Sequence, residues 1–244
     1  MGRNRIFAAA LLAAALAAQP APRFEVAVIR PSASAPGAGT SFETFEGGRV
    51  RIQNEPVKLL LRVAFRLQNA QIAGGPNWLD TEPYDVEAKT GRPEKITPDQ
   101  MGPLMQNLLA ERFRLKFHRE MRELPVLALL VAKGGPKLDT ASEGEAPGAH
   151  THNVPGGSQM VGTAVSMELL ANYIGNRMGR IVVDRTALSG SYDFTLNWAP
   201  DQAADSAAPP LVMALREQLG LRLESQRALL EVLVIDSIER PSAN

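Results

Sequence analysis

The chain has one pair of histidines at the H-x-H spacing, His150 and His152, which could supply two ligands to a metal ion. The pair lies in a stretch of small, Pro/Gly-rich and acidic residues, 134–157, and no third ligand follows at a metal-binding spacing. The nearest acids are Glu143 and Glu145. We therefore interpret both histidines as solvated residues of a connecting segment, and the sequence predicts no metal site and no cofactor.

Two other side chains have the chemistry of a general acid or base. His118 alternates with Arg114 and Lys116 on a predicted strand, so it is expected to be exposed on the outward face. Asp184 follows the apolar run 181–183, but no histidine or second acid is spaced to work with it, which favours a turn or capping role. The sequence therefore predicts no catalytic residue. The rival interpretation is a hydrolase or carbohydrate-active enzyme that uses Asp184.

The densest group of basic side chains is a row at the end of a helix and along the strand that follows. We call it the basic row; it consists of Arg112, Arg114, Lys116, His118, Arg119 and Arg122. Such a row is usually a solvated face, and the alternative is a binding surface for an acidic partner. These six residues are the predicted partner-binding residues.

Composition and the N-terminus bound the class of protein. Lys plus Arg and Asp plus Glu both number 26, so no overall basic charge points to nucleic acid. Arg3 and Arg5 precede the apolar run 6–16. Ala15-Leu16-Ala17 then has the small-x-small cleavage pattern, so this segment predicts a signal peptide cleaved after Ala17. That run is too short for a convincing membrane span, although an uncleaved anchor is the alternative. The predicted location is the periplasm or the exterior, and no cysteine is available for disulfides or thiol chemistry.

The chain contains an internal repeat. The stretches Leu108 to Val131 and Leu215 to Ile235 align without a gap where they overlap, so that Leu115 falls on Leu221. Each copy ends a helix, runs an alternating strand, turns, and runs a more apolar strand. Over the longer halves, the order strand-helix-strand-strand-helix-strand-strand recurs. The predicted class is α+β, with two tandem similar lobes, each a small mixed sheet with two helices on one face.

The predicted boundaries follow from this order. They are a signal peptide at 1–17, a first lobe at 24–133, a flexible linker at 134–157 and a second lobe at 158–240. Tyr84-Asp85 and Tyr192-Asp193 open equivalent strands, so each aspartate is expected to serve a shared turn or cross-strand pair. Trp78 and Trp198 are expected to plug the core rather than stack on a sugar.

Several long strings carry a resemblance to a known family. They are FEVAVIRPS, IAGGPNWL…YDVEAK, LLAERFRLKFHRE…ELPVLALLVAKGGPKL, VVDRTALSGSYDFTLNW and LREQLGLRLESQRALLEVLVID. Together they resemble the secreted "soil-associated" proteins of Acidobacteria and related bacteria, a domain of unknown function. Some relatives are joined to membrane sensor metallopeptidases, which implies extracytoplasmic sensing or binding. The element order alone is also similar to the short N-terminal domain of secretins and TonB-dependent receptors, a periplasmic module that works through protein contacts.

The function expected from these features is that of an exported, non-enzymatic binding protein. It would contact another extracytoplasmic protein through a sheet edge or the groove between the lobes, without nucleic acid and without a stable membrane span. Small-ligand sensing between the lobes is a third possibility. The sequence does not specify the oligomeric state.

Overall fold

A computed structural model of the chain describes residues 22–34, 39–142, 144, 147–199 and 208–241. The predicted signal peptide, residues 1–17, lies outside the described residues. None of the helices in the described ranges is long and apolar enough to cross a membrane.

The first half of the chain forms a hairpin, three helices and further strands. Its elements are β1 (Val26–Pro31), β2 (Ser41–Phe45), β3 (Arg49–Pro56), α1 (Val57–Phe65), β4 (Ile72–Gly74), α2 (Trp78–Thr81), β5 (Pro83–Lys89), α3 (Pro98–Arg112) and β6 (Lys116–Val131). Gly47 and Gly48 have φ angles of 74° and 62° and make the tight turn between β2 and β3. Thr97 caps α3 by accepting a hydrogen bond from the backbone N–H of Gln100.

The second half has a similar order but no counterpart of α2. Its elements are β7 (Asp139–Thr140), β8 (Gly148–Val154), β9 (Gly157–Ser166), α4 (Met167–Met178), β10 (Val182–Asp184), β11 (Ser191–Trp198), α5 (Leu211–Gln218) and β12 (Leu221–Ser237). Part of the expected linker is therefore ordered, because β8 pairs with β9 along its whole length. The composition of 148–154 does not indicate a strand, because its side chains are mostly exposed. The strand forms through backbone hydrogen bonds to β9.

The strands form three sheets within the described residues. The first outer sheet has the order β1-β5-β3-β2 and the second outer sheet the order β7-β11-β9-β8, and all pairings in both are antiparallel. The central sheet has the order β10-β6-β12-β4 and draws two strands from each half. The predicted α+β class is confirmed.

The centre of the fold is the antiparallel ribbon of β6 and β12. Glu123 lies opposite Leu229, and these two residues occupy equivalent positions in the aligned repeat. The pairing is therefore symmetric about this point. The expectation of a turn inside each repeated stretch is wrong, because each stretch is one continuous strand and the other copy supplies its antiparallel partner.

Each half also lends a short strand to the other. β4 of the first half pairs in parallel with β12 at Leu233–Ile235, and β10 of the second half pairs in parallel with β6 at Leu127–Leu129. These two receiving stretches are equivalent in the repeat. The predicted plan of one separate mixed sheet per lobe therefore differs from the structure, in which the mixed sheet is shared.

Two hydrophobic cores lie on the inner faces of the outer sheets, and both include residues from the shared sheet. The first core contains α1, α3 and the inward side chains of β3 and β5, together with Leu233 and Ile235 from the second half. The second contains α4, α5 and β11, together with Leu127 and Leu129 from the first half. Burying apolar surface in these cores stabilises the folded state by about 25 cal/mol for each Å² removed from water. Trp78 and Trp198 are both buried, as predicted.

The repeated aspartates hold the strand irregularity that leads into the first helix of each half. Asn54 and Ala164 both adopt a left-handed backbone, with φ of 56° and 49°. Asp85 Oδ1 accepts the backbone N–H of Asn54 at 3.0 Å, and Asp193 Oδ1 accepts that of Ala164 at 2.8 Å. The expected shared role is confirmed, as a contact between neighbouring strands in both halves.

Candidate functional site

The basic row is held mainly by contacts within the protein. Arg112 Nη1 donates a hydrogen bond to the carbonyl oxygen of Ala27 at 2.9 Å. The guanidinium of Arg112 is therefore bound to the edge strand β1. Arg114 has a left-handed backbone with φ of 54°. Arg114 and Lys116 are exposed, and neither makes an ion pair with a described residue.

The other three members of the basic row are neutralised by acids. Arg119 Nη1 lies 2.6 Å from Glu231 Oε1 across the ribbon, and Arg122 Nε donates to Glu120 Oε2 at 2.7 Å. His118 lies between two carboxylates, with Nδ1 2.7 Å from Asp236 and Nε2 2.9 Å from Glu120. His118 is exposed on its strand, as expected, but its acidic neighbours come partly from β12.

The two carboxylates should make His118 easier to protonate. Hydrogen bonds to Glu120 and then Asp236 raise the pKa of His118 above its usual 6.5. A raised pKa means that the interaction contributes to stability at pH values below the unfolded-state pKa and is lost as the pH rises through the folded-state pKa. We expect an NMR titration of the full chain to place the His118 pKa above 6.5 and Asp236→Asn to lower it. Asp139→Asn, a remote acid change, is the control; an equal response to both substitutions would contradict the assignment.

The remaining candidates from the sequence do not converge. His150 and His152 lie on the exposed edge strand β8, and the described residues contain no group of three His, Cys, Asp or Glu side chains able to hold a metal ion. Asp184 Oδ1 accepts from the backbone N–H and the hydroxyl of Thr186, both at 2.8 Å. The predicted turn role of Asp184 is confirmed.

The structure points instead to the outer face of the first outer sheet. A groove of about 420 Å³ lies there, and we call it the basic groove; its defining residues are Val26, Val28, Phe45, Arg49, Arg51 and Lys89. Val26 and Val28 are 60% and 40% exposed, although they are apolar residues on a strand. An exposed apolar strip bordered by charges is typical of a contact surface.

Strand register places the groove side chains in a row across the sheet. Val26 is opposite Lys89, Lys89 is opposite Arg49, and Arg49 is opposite Phe45. Side chains directly opposite on antiparallel strands share a face with their Cβ atoms about 5 Å apart. Lys89 and Arg49 are therefore two like charges side by side, an arrangement that destabilises the folded state.

An aromatic ring lies beside the guanidinium groups at one end of this row. The Cζ atoms of Arg49 and Arg51 each lie 5.7 Å from the ring centroid of Phe45. Cation–π contacts at exposed sites contribute about 0.5–1 kcal/mol each. They orient the two arginine side chains but do not neutralise them.

The acids on this face are engaged elsewhere or lie in the next row. The Arg30 guanidinium lies 3.5 Å from the carboxylate of Asp85 and 3.8 Å from that of Glu87, so Arg30 forms ion pairs with both acids of β5. Arg49, Arg51 and Lys89 make no ion pair with any described residue. Arg51 lies opposite Glu87 and Glu43 on the neighbouring strands, whereas Lys89 and Arg49 lie opposite each other. The positive charge available to a ligand is therefore mainly that of Lys89 and Arg49, and the two acids limit how far an anionic group can extend across the sheet.

The sequence reasoning missed the basic groove. Its residues come from four strands between Val26 and Lys89, and no two of its cations share a short motif apart from Arg49-x-Arg51. The alternation of Arg49 and Arg51 in β3, after Phe45 and a Gly-Gly turn, is the one feature of the sequence that indicates this basic surface.

The fold and this face together define an α+β protein with an exposed, basic and partly apolar sheet surface. The chain belongs to the family described as "Protein of unknown function (DUF3738)", whose model matches residues 58–238. The matched range begins within α1 and ends just after β12. It contains Lys89, and the other five groove residues lie before it. No curated protein and no solved structure matches the chain.

Proposed function

We propose that this protein is an exported, non-enzymatic binding protein that holds an extended acidic segment of another extracytoplasmic protein in the basic groove. The single observation that supports this most strongly is the row of Lys89 and Arg49 on adjacent strands with no ion-pair partner among the described residues. Adjacent like charges cost stability in the free protein. An anionic partner removes that repulsion on binding.

The shape and apolar content of the groove indicate what kind of segment fits. The groove is open rather than enclosed, and Lys89 and Arg49 are flanked by Val26 and Val28 on one side and by Phe45 on the other. An extended strand presents alternate side chains to one side, so acidic residues on it can reach the cations while apolar neighbours cover the valines. A compact anion would leave the exposed valines uncovered.

The proposed location and origin rest on the sequence. The charged and apolar N-terminal segment with the pattern Ala15-Leu16-Ala17 supports export to the periplasm or the exterior. The strings given above support membership of the soil-associated group of secreted proteins. In that setting the proposed partner is another secreted protein or an ectodomain.

The test uses paired charge reversal. We expect Arg49→Glu/Arg51→Glu to weaken binding of a short fluorescent peptide, in which glutamate alternates with valine, by about tenfold or more, since two favourable charges become repulsive. Fluorescence anisotropy measures the affinity, which should also fall with added salt.

The matched control is Arg180→Glu/Arg185→Glu, which changes net charge equally at two exposed residues outside the first outer sheet. We expect this control to bind the peptide within about twofold of the unmodified protein and to have the same circular dichroism spectrum. Equal losses in both variants would show that binding follows net charge alone and would overturn the assignment of the groove.

A further inference from the structure

A second candidate site lies at the edge of the second outer sheet, on a different sheet from the basic groove. It is built on β8, which pairs with β9 on one side and with no strand of the described residues on the other. His150 and His152 of β8 are both exposed, while Thr151 between them lies opposite Met160 of the second core. Side chains alternate between the two faces of a strand. Both imidazoles therefore project from the outer face of the sheet.

β8 lacks the features that usually protect a sheet edge from other chains. Proline, charged side chains and short length keep edge strands from pairing with a further strand. β8 is seven residues long and contains no proline, lysine, arginine, aspartate or glutamate. The other edge strands of the two outer sheets each have such a feature, since β1 ends in Arg30 and Pro31, β2 contains Glu43 and β7 has two residues. Among these edges, β8 is therefore the most open to pairing with another strand.

The turn after β8 fixes which of its backbone groups point away from β9. Pro155 and Gly156 form a two-residue turn between Val154 and Gly157, which are paired. The pair that flanks such a turn is hydrogen-bonded, and hydrogen-bonded pairs alternate with non-hydrogen-bonded pairs along an antiparallel ladder. Counted back from Val154, the N–H and C=O groups of Thr151 therefore point outward from the sheet. No described residue forms a hydrogen bond with them.

A second copy of the chain completes a set of four histidines at this edge. When β8 pairs antiparallel with the second copy's β8 about a two-fold axis at Thr151, the two Thr151 residues exchange N–H···O=C bonds. His150 then lies opposite the second copy's His152 in a non-hydrogen-bonded pair, in which side chains approach most closely. The Cβ atoms of these histidines are about 5 Å apart across the seam and about 7 Å apart along each strand. Four imidazoles thus surround one point on one face.

The fold itself does not require histidines at these positions. The hairpin of β8 and β9 corresponds in the internal repeat to the hairpin of β2 and β3. His150 and His152 take the places of Glu43 and Phe45 in that comparison. The equivalent face of the first outer sheet carries the basic groove. The packing that the two halves share therefore leaves this face free to carry a different set of side chains in each half.

We propose that β8 pairs with β8 of a second copy of this chain and that the four histidines bind one zinc ion between the copies. Imidazole nitrogen is a preferred ligand of zinc, which takes four ligands in a tetrahedral arrangement. Each copy supplies only two of the four ligands, which agrees with the absence of a three-ligand group among the described residues of one chain. The ion holds the two edge strands together, because neither copy can complete its coordination alone.

The test is the mass in solution of the full chain without an affinity tag, measured by light scattering after size-exclusion chromatography. We expect zinc to double the mass and to bind at one ion for every two chains, and EDTA to reverse both effects. His150→Gln/His152→Gln should stay monomeric with zinc and keep its circular dichroism spectrum, since both side chains are exposed. Zinc binding without a change of mass would overturn the shared site, and so would a dimer that persists in EDTA.

Two further variants separate the proposed geometry from unspecific metal bridging. His118→Gln changes the third histidine of the chain and is the matched control, which should dimerise with zinc like the unmodified protein. Thr151→Pro keeps both histidines and removes the outward N–H; proline is tolerated on an edge strand, so this variant should fold but stay monomeric with zinc. A zinc-dependent dimer of Thr151→Pro would overturn the strand pairing. This inference does not depend on the basic groove, and Arg49→Glu/Arg51→Glu should dimerise normally.

Discussion

Replacing Gln68 by alanine should lower the free energy of unfolding by about 2–5 kcal/mol, since two backbone groups lose their buried partner. Gln68 follows α1 in the first half and is 5% exposed. Its Nε2 donates to the carbonyl oxygen of Val182 at 2.6 Å, and its Oε1 accepts the N–H of Val182 at 2.9 Å. The amide therefore pairs with the start of β10 as a neighbouring strand would.

The neighbourhood of Gln68 makes water a poor substitute. A Cβ atom added at Gly175 would lie 2.0 Å from Gln68 Oε1, so the backbone of α4 closes tightly over the amide. The Gln68→Glu variant keeps the shape but cannot donate to Val182 when ionised. A buried carboxyl that needs its proton has a raised pKa, so this variant should be most stable at low pH and lose stability as the pH rises through that folded-state pKa.

Urea unfolding followed by circular dichroism measures both changes. Gln226→Ala, on the exposed part of β12, is the control and should stay within about 0.5 kcal/mol of the unmodified protein. A loss below about 0.5 kcal/mol for Gln68→Ala would contradict the role of this side chain in joining the halves.

The elements of the fold were predictable from the sequence, whereas the exchange of strands was not. The apolar periodicity of 57–64 and 167–174 predicts helices, and both form. β4 and β10 are three residues long, and so short a strand carries no information on which long strand it will join. Pairing across the halves is decided by how the chain packs in three dimensions.

The acidic partners of the basic row could not be predicted from the sequence for a related reason. The spacing of the basic row shows cations along β6, but the acids that pair with Arg119 and His118, namely Glu231 and Asp236, lie on β12. The register between these distant strands converts an apparent basic surface into a network of ion pairs. Conversely, Lys89 and Arg49 become neighbours only when β5 and β3 pair.

Core substitutions in the two halves should destabilise one shared folding unit. Leu221, fully buried at the start of β12, lies in the second core, and its repeat equivalent Leu115 lies in the first. Each leucine-to-alanine change should cost about 2–5 kcal/mol, from lost burial and the cavity left behind. Leu229, which is 64% exposed at the centre of the ribbon, is the matched control and should cost less than about 0.5 kcal/mol as alanine.

The number of unfolding transitions tests the strand exchange itself. Leu233 and Ile235 of the second half are part of the first core, so that core cannot stay intact while β12 is unfolded. Calorimetry should therefore show a single transition that both Leu115→Ala and Leu221→Ala shift to lower temperature, with equal calorimetric and van't Hoff enthalpies. Independent lobes would instead give two transitions, each moved by only one of the substitutions. Because β12 contributes to both cores and β6 to the core of the second half, neither half has a complete sheet to fold on by itself.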